Sequence, residues 1–149
     1  MPLHFKKILV TLLCCLLLAP LAAQARMVSV NQEDVNIRSG PSTRYRVKWQ
    51  VGKGFPLKVI ASKGKWRKVR DFENDVGWIY GPLTGRQAHL VVKKPVVNLR
   101  SGPGTTYPIV TQAKYGVVFR TEKRVKGWVK VRHQSGVSGW VARKLLWGW

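Results

Sequence analysis

The chain has 149 residues, with 27 Lys or Arg against six Asp or Glu, giving a net charge of +21 with histidine neutral. Its two cysteines, Cys14 and Cys15, both lie near the N-terminus. Residues 26–149 therefore have no disulfide, thiolate nucleophile or cysteine zinc site, and the charge directs attention to polyanionic partners.

In chain order, residues 1–7 are short and basic, and residues 8–19 are apolar. A bilayer-spanning helix needs ~20 apolar residues, so this run is too short to span comfortably. Pro20 breaks it, and Ala23-Gln24-Ala25 supplies small residues at a cleavage site. That layout reads as a secretory signal peptide over residues 1–25, with an uncleaved N-terminal anchor as the alternative, and it predicts an exported protein, periplasmic or extracellular and associated with the cell envelope. Neither Cys14 nor Cys15 sits in a lipoprotein-like context, so lipidation is disfavoured.

After the leader, short β-rich runs alternate with Gly, Pro, Ser and Lys clusters, which predicts an all-β fold. Strands are expected at 28–30, 35–38, 57–60, 66–70 and 77–80, and again at 90–92, 96–100, 117–121, 128–132 and 139–142. The second set repeats the first. Val35-Asn36-Ile37-Arg38-Ser39-Gly40-Pro41 returns 62 residues later as Val97-Asn98-Leu99-Arg100-Ser101-Gly102-Pro103, and the register then holds without a gap through Tyr45 and Tyr107, Trp66 and Trp128, and Trp78 and Trp140. Two units, 26–85 and 86–149, follow. Each approaches the lower size limit for independent folding, and a small barrel suits that size because it leaves few unpaired edges. Leu145 and Leu146 are expected to close the second barrel, with Trp149 left open.

The combination Val-Asn-[Ile/Leu]-Arg-Ser-Gly-Pro-x-Thr, then Tyr, then Trp-x-Lys-Val-Arg, then Gly-Trp-[Ile/Val] resembles the bacterial SH3 (SH3b) domain family, and it does so in both copies. The resemblance implies two tandem SH3-like β-barrels and a role in the cell envelope, often as a wall-targeting module beside a peptidoglycan hydrolase. The copies differ at Lys65 and Gly127, and in the loops 71–75 and 133–137, so their ligand surfaces need not be equivalent.

Alternation within a strand identifies candidate binding residues directly. In 128–132, Val129 and Val131 point one way, while Trp128, Lys130 and Arg132 point the other; Trp66, Lys68 and Arg70 repeat the outer set, with Val69 opposite. An aromatic beside two cations can stack on a sugar face while the cations hold an anion. Alternatively, each Trp folds over a barrel end and the Lys and Arg stems shield it. Trp78 and Trp140 either line a groove with Tyr45 or Tyr107 or plug the barrels. Arg38 and Arg100, at the turns, either clamp a carboxylate or satisfy loop carbonyls, the second role being better supported because turn backbone needs partners.

Catalytic groups are sparse. Residues 26–149 hold only His89 and His133, one in each unit, and no serine lies in a nucleophile-elbow context. The acids Asp71, Glu73 and Asp75 are expected to form an isolated solvated loop rather than a cation site. No catalytic residue, metal site or cofactor is predicted. The sequence therefore reads as a non-catalytic binding protein for an anionic, saccharide-rich polymer, most plausibly peptidoglycan. The rival readings are an adaptor for a peptide segment of an envelope protein and a non-specific binder of polyanions or an anionic membrane surface. Export disfavours nucleic acid as a partner in vivo.

Overall fold

The computed structural model describes residues 26–149. The expected signal peptide, residues 1–25 with Cys14 and Cys15, lies outside the described residues. The described chain is all-β: among these residues the only helical segments are two single 3-10 turns, Gly81–Leu83 and Arg143–Leu145.

Seven strands build the first sheet: β1 Arg26–Val30, β2 Val35–Arg38, β3 Val47–Val51, β4 Pro56–Lys63, β5 Trp66–Arg70, β6 Val76–Tyr80 and β7 Thr84–Gly85. Seven more build the second: β8 His89–Val92, β9 Val96–Arg100, β10 Ile109–Lys114, β11 Val118–Val125, β12 Trp128–Arg132, β13 Ser138–Ala142 and β14 Leu146–Gly148. Their orders, β3-β2-β6-β5-β4-β1-β7 and β10-β9-β13-β12-β11-β8-β14, are the same topology used twice.

Period-two alternation explains each core. Val28, Val30, Val35, Ile37, Leu57, Val69 and Ile79 are buried in the first barrel, and Leu90, Val92, Val97, Leu99, Phe119, Val129, Val131, Val141 and Leu146 in the second. Val129, Val131 and Val69 thus point inward as the sequence predicts. Four strands were not anticipated, the short β7 and β14 and the longer β3 and β10. In β3 only Val51 is buried, and in β10 only Ala113, because both lie at sheet edges and show water most of their side chains. Without a buried face there is no hydrophobic alternation to read.

Glycine is required where backbones or rings close in. A Cβ at Gly77 would fall 2.3 Å from Cγ2 of Ile37, and one at Gly40 or Gly102 would fall 2.4 Å from the ring of Tyr45 or Tyr107. The Ser-Gly-Pro turn is thus shaped by the tyrosine that folds back over it. Leu146 is buried and β14 pairs with β8, so the C-terminal segment does close the second barrel. Trp149 continues that seam, its N–H donating to the carbonyl of His89 at 3.0 Å and its carbonyl accepting from Thr121 Oγ1 at 2.6 Å.

The two barrels touch. His89 Nδ1 lies 2.9 Å from the carbonyl of Gln87, which places the proton on that nitrogen, and 3.1 Å from Ser29 Oγ of the first barrel. The same ring fills the space beside Gly54, whose φ is +83°. Phe72 of the first barrel packs 5.2 Å, centroid to centroid, from Tyr115 of the second.

Candidate functional site

Cross-strand register decides which candidates meet. On the outer face of the first barrel Lys68 stands opposite Trp78, and Trp78 opposite Arg38; the second barrel repeats this as Lys130, Trp140 and Arg100. Trp78 and Trp140 are half-buried on this face, while the neighbouring Ile79 and Val141 fill the cores, so the two tryptophans do not plug the barrels. Tyr45 and Tyr107 sit apart from them, exposed over their own turns.

Arg38 and Arg100 hold those turns. Arg38 Nη1 donates to the carbonyls of Thr43 and Tyr45 at 3.2 and 3.0 Å, and Arg100 Nη1 donates to Thr105 and Tyr107 at 3.0 Å each. One nitrogen of each guanidinium is therefore committed to backbone, as turn carbonyls require.

Trp66 and Trp128 each line a groove. The first groove, about 440 Å³, is bounded by Trp66, Tyr80, Asp34, Arg38, Thr43 and Leu83. Tyr80 lies directly across from Trp66 on the neighbouring strand, with ring centroids 5.5 Å apart and planes inclined by 54°. The second groove, about 580 Å³, shares the positions of Thr43, Trp66 and Tyr80 with the first and is bounded by Trp128, Ala142, Thr105, Lys93, Arg143 and Lys144. Arg143 is tied down inside it, donating to the carbonyls of Leu146 and Gly148 at 2.8 and 2.9 Å, and burial holds its pKa below the usual arginine value. Tyr80, Asp34, Lys93 and Lys144 were not among the sequence candidates. Tyr80 was recoverable, since it lies two residues beyond Trp78 and so shares its face. The others sit at loop or turn positions where alternation says nothing.

Arg70 and Arg132 have different settings. Arg132 Nε forms a close ion pair with Glu122, and its Nη1 donates to the carbonyl of Gly136 at 3.1 Å. Arg132 holds the Glu122 carboxyl below the ordinary range. Position 60, the counterpart of Glu122, is Ile60, and Arg70 is exposed. Among the described residues only Glu122 forms ion pairs, with Arg132 and with Arg120 at 3.4 Å.

The acidic loop departs from expectation. Asp71 is only 5% exposed, and its Oδ1 accepts from the backbone N–H groups of Glu73 and Asp75 at 2.9 Å each. Burial pushes the Asp71 carboxyl up, against the lowering effect of those two bonds. Glu73 accepts a short hydrogen bond from the Tyr115 hydroxyl of the other barrel. The loop is thus a folded inter-barrel contact rather than an isolated solvated segment. Its counterpart, residues 133–137, has no such acids.

With the repeated topology and the two grooves in view, comparison with known proteins places the chain. The model of the bacterial SH3 domain family (SH3_4) matches residues 31–84 and 93–148. The chain belongs to the bacterial SH3 domain family. Its SH3 repeats are similar to YrvJ of Bacillus subtilis (strain 168), a protein classed by inference as an N-acetylmuramoyl-L-alanine amidase, with 26% identity over 136 residues covering 84% of this chain and 26% of that protein. They are also similar to LytH of Staphylococcus aureus, classed by inference as a cell wall amidase, with 42% identity over 50 residues, 33% of this chain and 17% of LytH. The chain thus spans about a quarter or less of the length of these relatives. Among solved structures, Endolysin LysPBC5 CBD is 19% identical, with 83% of this chain and 93% of that chain covered and a TM-score of 0.34. NlpC2 from Trichomonas vaginalis is 11% identical, with coverages of 83% and 48% and a TM-score of 0.36. At scores this low the superpositions add nothing to the family assignment.

Within the two SH3 repeats the outer face is therefore the same three-residue row, Arg, Trp and Lys, laid down twice, and the groove beside it is where the copies part company.

Proposed function

We propose that this protein is a non-catalytic, exported cell-envelope protein whose tandem SH3 repeats hold an anionic, saccharide-rich polymer, with peptidoglycan as the ligand. The observation that carries this reading is the pair of grooves, each centred on a half-buried tryptophan at the same place in its barrel. A tryptophan face offers a broad apolar platform for the C–H face of a sugar ring. Around it the chain supplies a field of 25 cations against six acids over residues 26–149, which attracts carboxylate-bearing polymers. The similarity of the repeats to proteins classed as cell wall amidases supports the same polymer and an envelope location. Two weak sites on one chain gain from avidity when their ligand is polymeric.

The test is co-sedimentation of residues 26–149 with purified sacculi at rising salt. Binding is expected to survive moderate salt and to fall when Trp66 and Trp128 are both replaced by alanine. Binding that vanishes at moderate salt and ignores the double replacement identifies a non-specific polyanion binder instead. Recovery of a crosslinked envelope protein in place of wall material identifies an adaptor.

A further inference from the structure

The two grooves share three equivalent positions, Thr43 and Thr105, Trp66 and Trp128, and Tyr80 and Ala142, and the differences around their tryptophans shift the chemistry mainly in one direction, Lys65 to Gly127 being the exception. Tyr80, which faces Trp66, is replaced at the corresponding position by Ala142, which faces Trp128. Asp34, on the rim of the first groove, becomes Val96. Asn31, Gly81 and Pro82 become Lys93, Arg143 and Lys144, all three on the second groove. The first groove therefore has two aromatic rings and one charge of each sign, Asp34 and Arg38. The second has one aromatic ring, three cations and no acid.

Three further cations of the first repeat, Arg26, Lys65 and Arg67, lie off the Trp66–Tyr80 groove, in a hollow lined also by Gly81, Pro82 and Thr84, the positions that Arg143, Lys144 and Leu146 occupy on the second groove. Arg67, at the position of the core residue Val129, donates to Thr84 Oγ1 at 2.6 Å. In the second groove Arg143 is bound to its own backbone, which leaves Lys93 and Lys144. Both are exposed, and among the described residues neither belongs to an ion pair.

We infer that the repeats divide the polymer between them: the Trp66–Tyr80 groove takes an uncharged saccharide, and the Trp128 groove takes an anionic group held by Lys93 and Lys144. An inclined aromatic pair forms a corner whose two faces meet the apolar C–H surface of a pyranose. The balanced charge of Asp34 and Arg38 adds hydrogen-bonding capacity for hydroxyl and acetamido groups without a net preference for ions. Two flexible ammonium groups beside a single ring suit a carboxylate or phosphate whose attached carbon skeleton lies on that ring. Asp34 sits at φ 54°, a region that non-glycine residues adopt uncommonly, and the turn it makes places it on the groove rim. This division rests on the envelope-polymer reading and refines it.

The experiment is a ¹⁵N–¹H NMR titration of residues 26–149, following the indole N–H signals of Trp66 and Trp128, each assigned by a Trp→Phe variant. Three probes are used: N-acetylglucosamine tetrasaccharide, which is uncharged; N-acetyl-D-alanyl-D-alanine, which carries one carboxylate; and glycerol phosphate. The saccharide is expected to move the Trp66 signal alone. Its affinity should fall about tenfold in Tyr80→Ala and recover in Tyr80→Phe. The carboxylate or the phosphate, whichever is the ligand's anion, should move the Trp128 signal alone and lose about threefold in affinity for each of Lys93→Gln and Lys144→Gln. Ala142→Tyr should give the second groove measurable saccharide binding. The Trp78 and Trp140 signals check that each variant is folded. A saccharide that moves both signals equally, anions that act at Trp66, lysine variants without effect, or no response to any probe overturns the division. Sacculus sedimentation is read separately: wall binding that persists while the division fails leaves the parent function standing, and loss of wall binding removes both.

Discussion

The guanidinium of Arg100 donates to the backbone carbonyl of Tyr107 at 3.0 Å, across a turn whose glycine is covered by the same tyrosine's ring. One side chain thus fixes the carbonyls, and the other caps the backbone between them. Arg38 and Tyr45 make the identical arrangement in the first barrel. The arginines therefore serve first to hold the turn from which Thr43 and Thr105 reach the groove rims.

Replacing Arg100 by glutamine removes the charge-assisted bonds to Thr105 and Tyr107. Because the site is partly open to water, the expected cost is about 1–2 kcal/mol, read from urea denaturation followed by tryptophan fluorescence. Arg100→Lys should recover only part of it, since one ammonium lacks the planar fork.

Gly77 and Gly139 occupy equivalent places but tolerate a methyl group unequally. At Gly77 a Cβ meets Ile37 Cγ2 at 2.3 Å and Trp49 Cη2 at 3.2 Å, whereas at Gly139 the nearest atom is Leu99 Cβ at 2.9 Å. Gly77→Ala is expected to destabilise by about 2–3 kcal/mol and Gly139→Ala by about 1–2 kcal/mol, both from overpacking. Denaturation curves of the two variants check the order; equal losses would refute the geometry.

His89 makes stability depend on pH. Burial, with minor repulsion from Arg120 and Lys53, pulls its pKa below 6.5. The unfolded chain therefore takes up this proton at a higher pH than the folded chain does. The contribution is complete above pH 6.5 and is lost as the pH falls through that value toward the folded pKa. Thermal midpoints should decline between neutral pH and mildly acidic pH, and His89→Gln should flatten that part of the profile.

Tyr115 reports on the contact between the barrels. Its hydrogen bond to Glu73 pushes the phenol up to about 12. One of the four tyrosines should accordingly ionise late in an ultraviolet alkaline titration, and Glu73→Gln should bring it back toward 10. Tyr115→Phe keeps the packing on Phe72 and should cost less stability than Tyr115→Ala.

Much of the architecture is a consequence of sequence alone. A strand turns its side chains over with period two, so alternation alone puts Val69, Val129 and Val131 in the cores and Trp66, Lys68, Trp128 and Lys130 on the outer face. The repeat fixed the topology of one unit to that of the other, because the same residues sit at the same turns. Edge strands escaped detection, since β3 and β10 bury one residue each and leave no pattern.

Contacts between strands were decided only in three dimensions. Register, set by bulges and turns, places Tyr80 against Trp66 and Ala142 against Trp128, while Glu122, in the bulge between Thr121 and Lys123, meets Arg132 through its side chain, and no spacing along the chain encodes those distances. The acidic loop shows the same limit. Its charges read as solvated in sequence, yet Asp71 is buried because two backbone N–H groups compensate it and Glu73 meets a tyrosine 42 positions away. The sequence determined that one barrel is built twice, since local alternation and repeated turns suffice for that. The tertiary structure decided that the two grooves differ, since a groove is made from residues that only folding brings together.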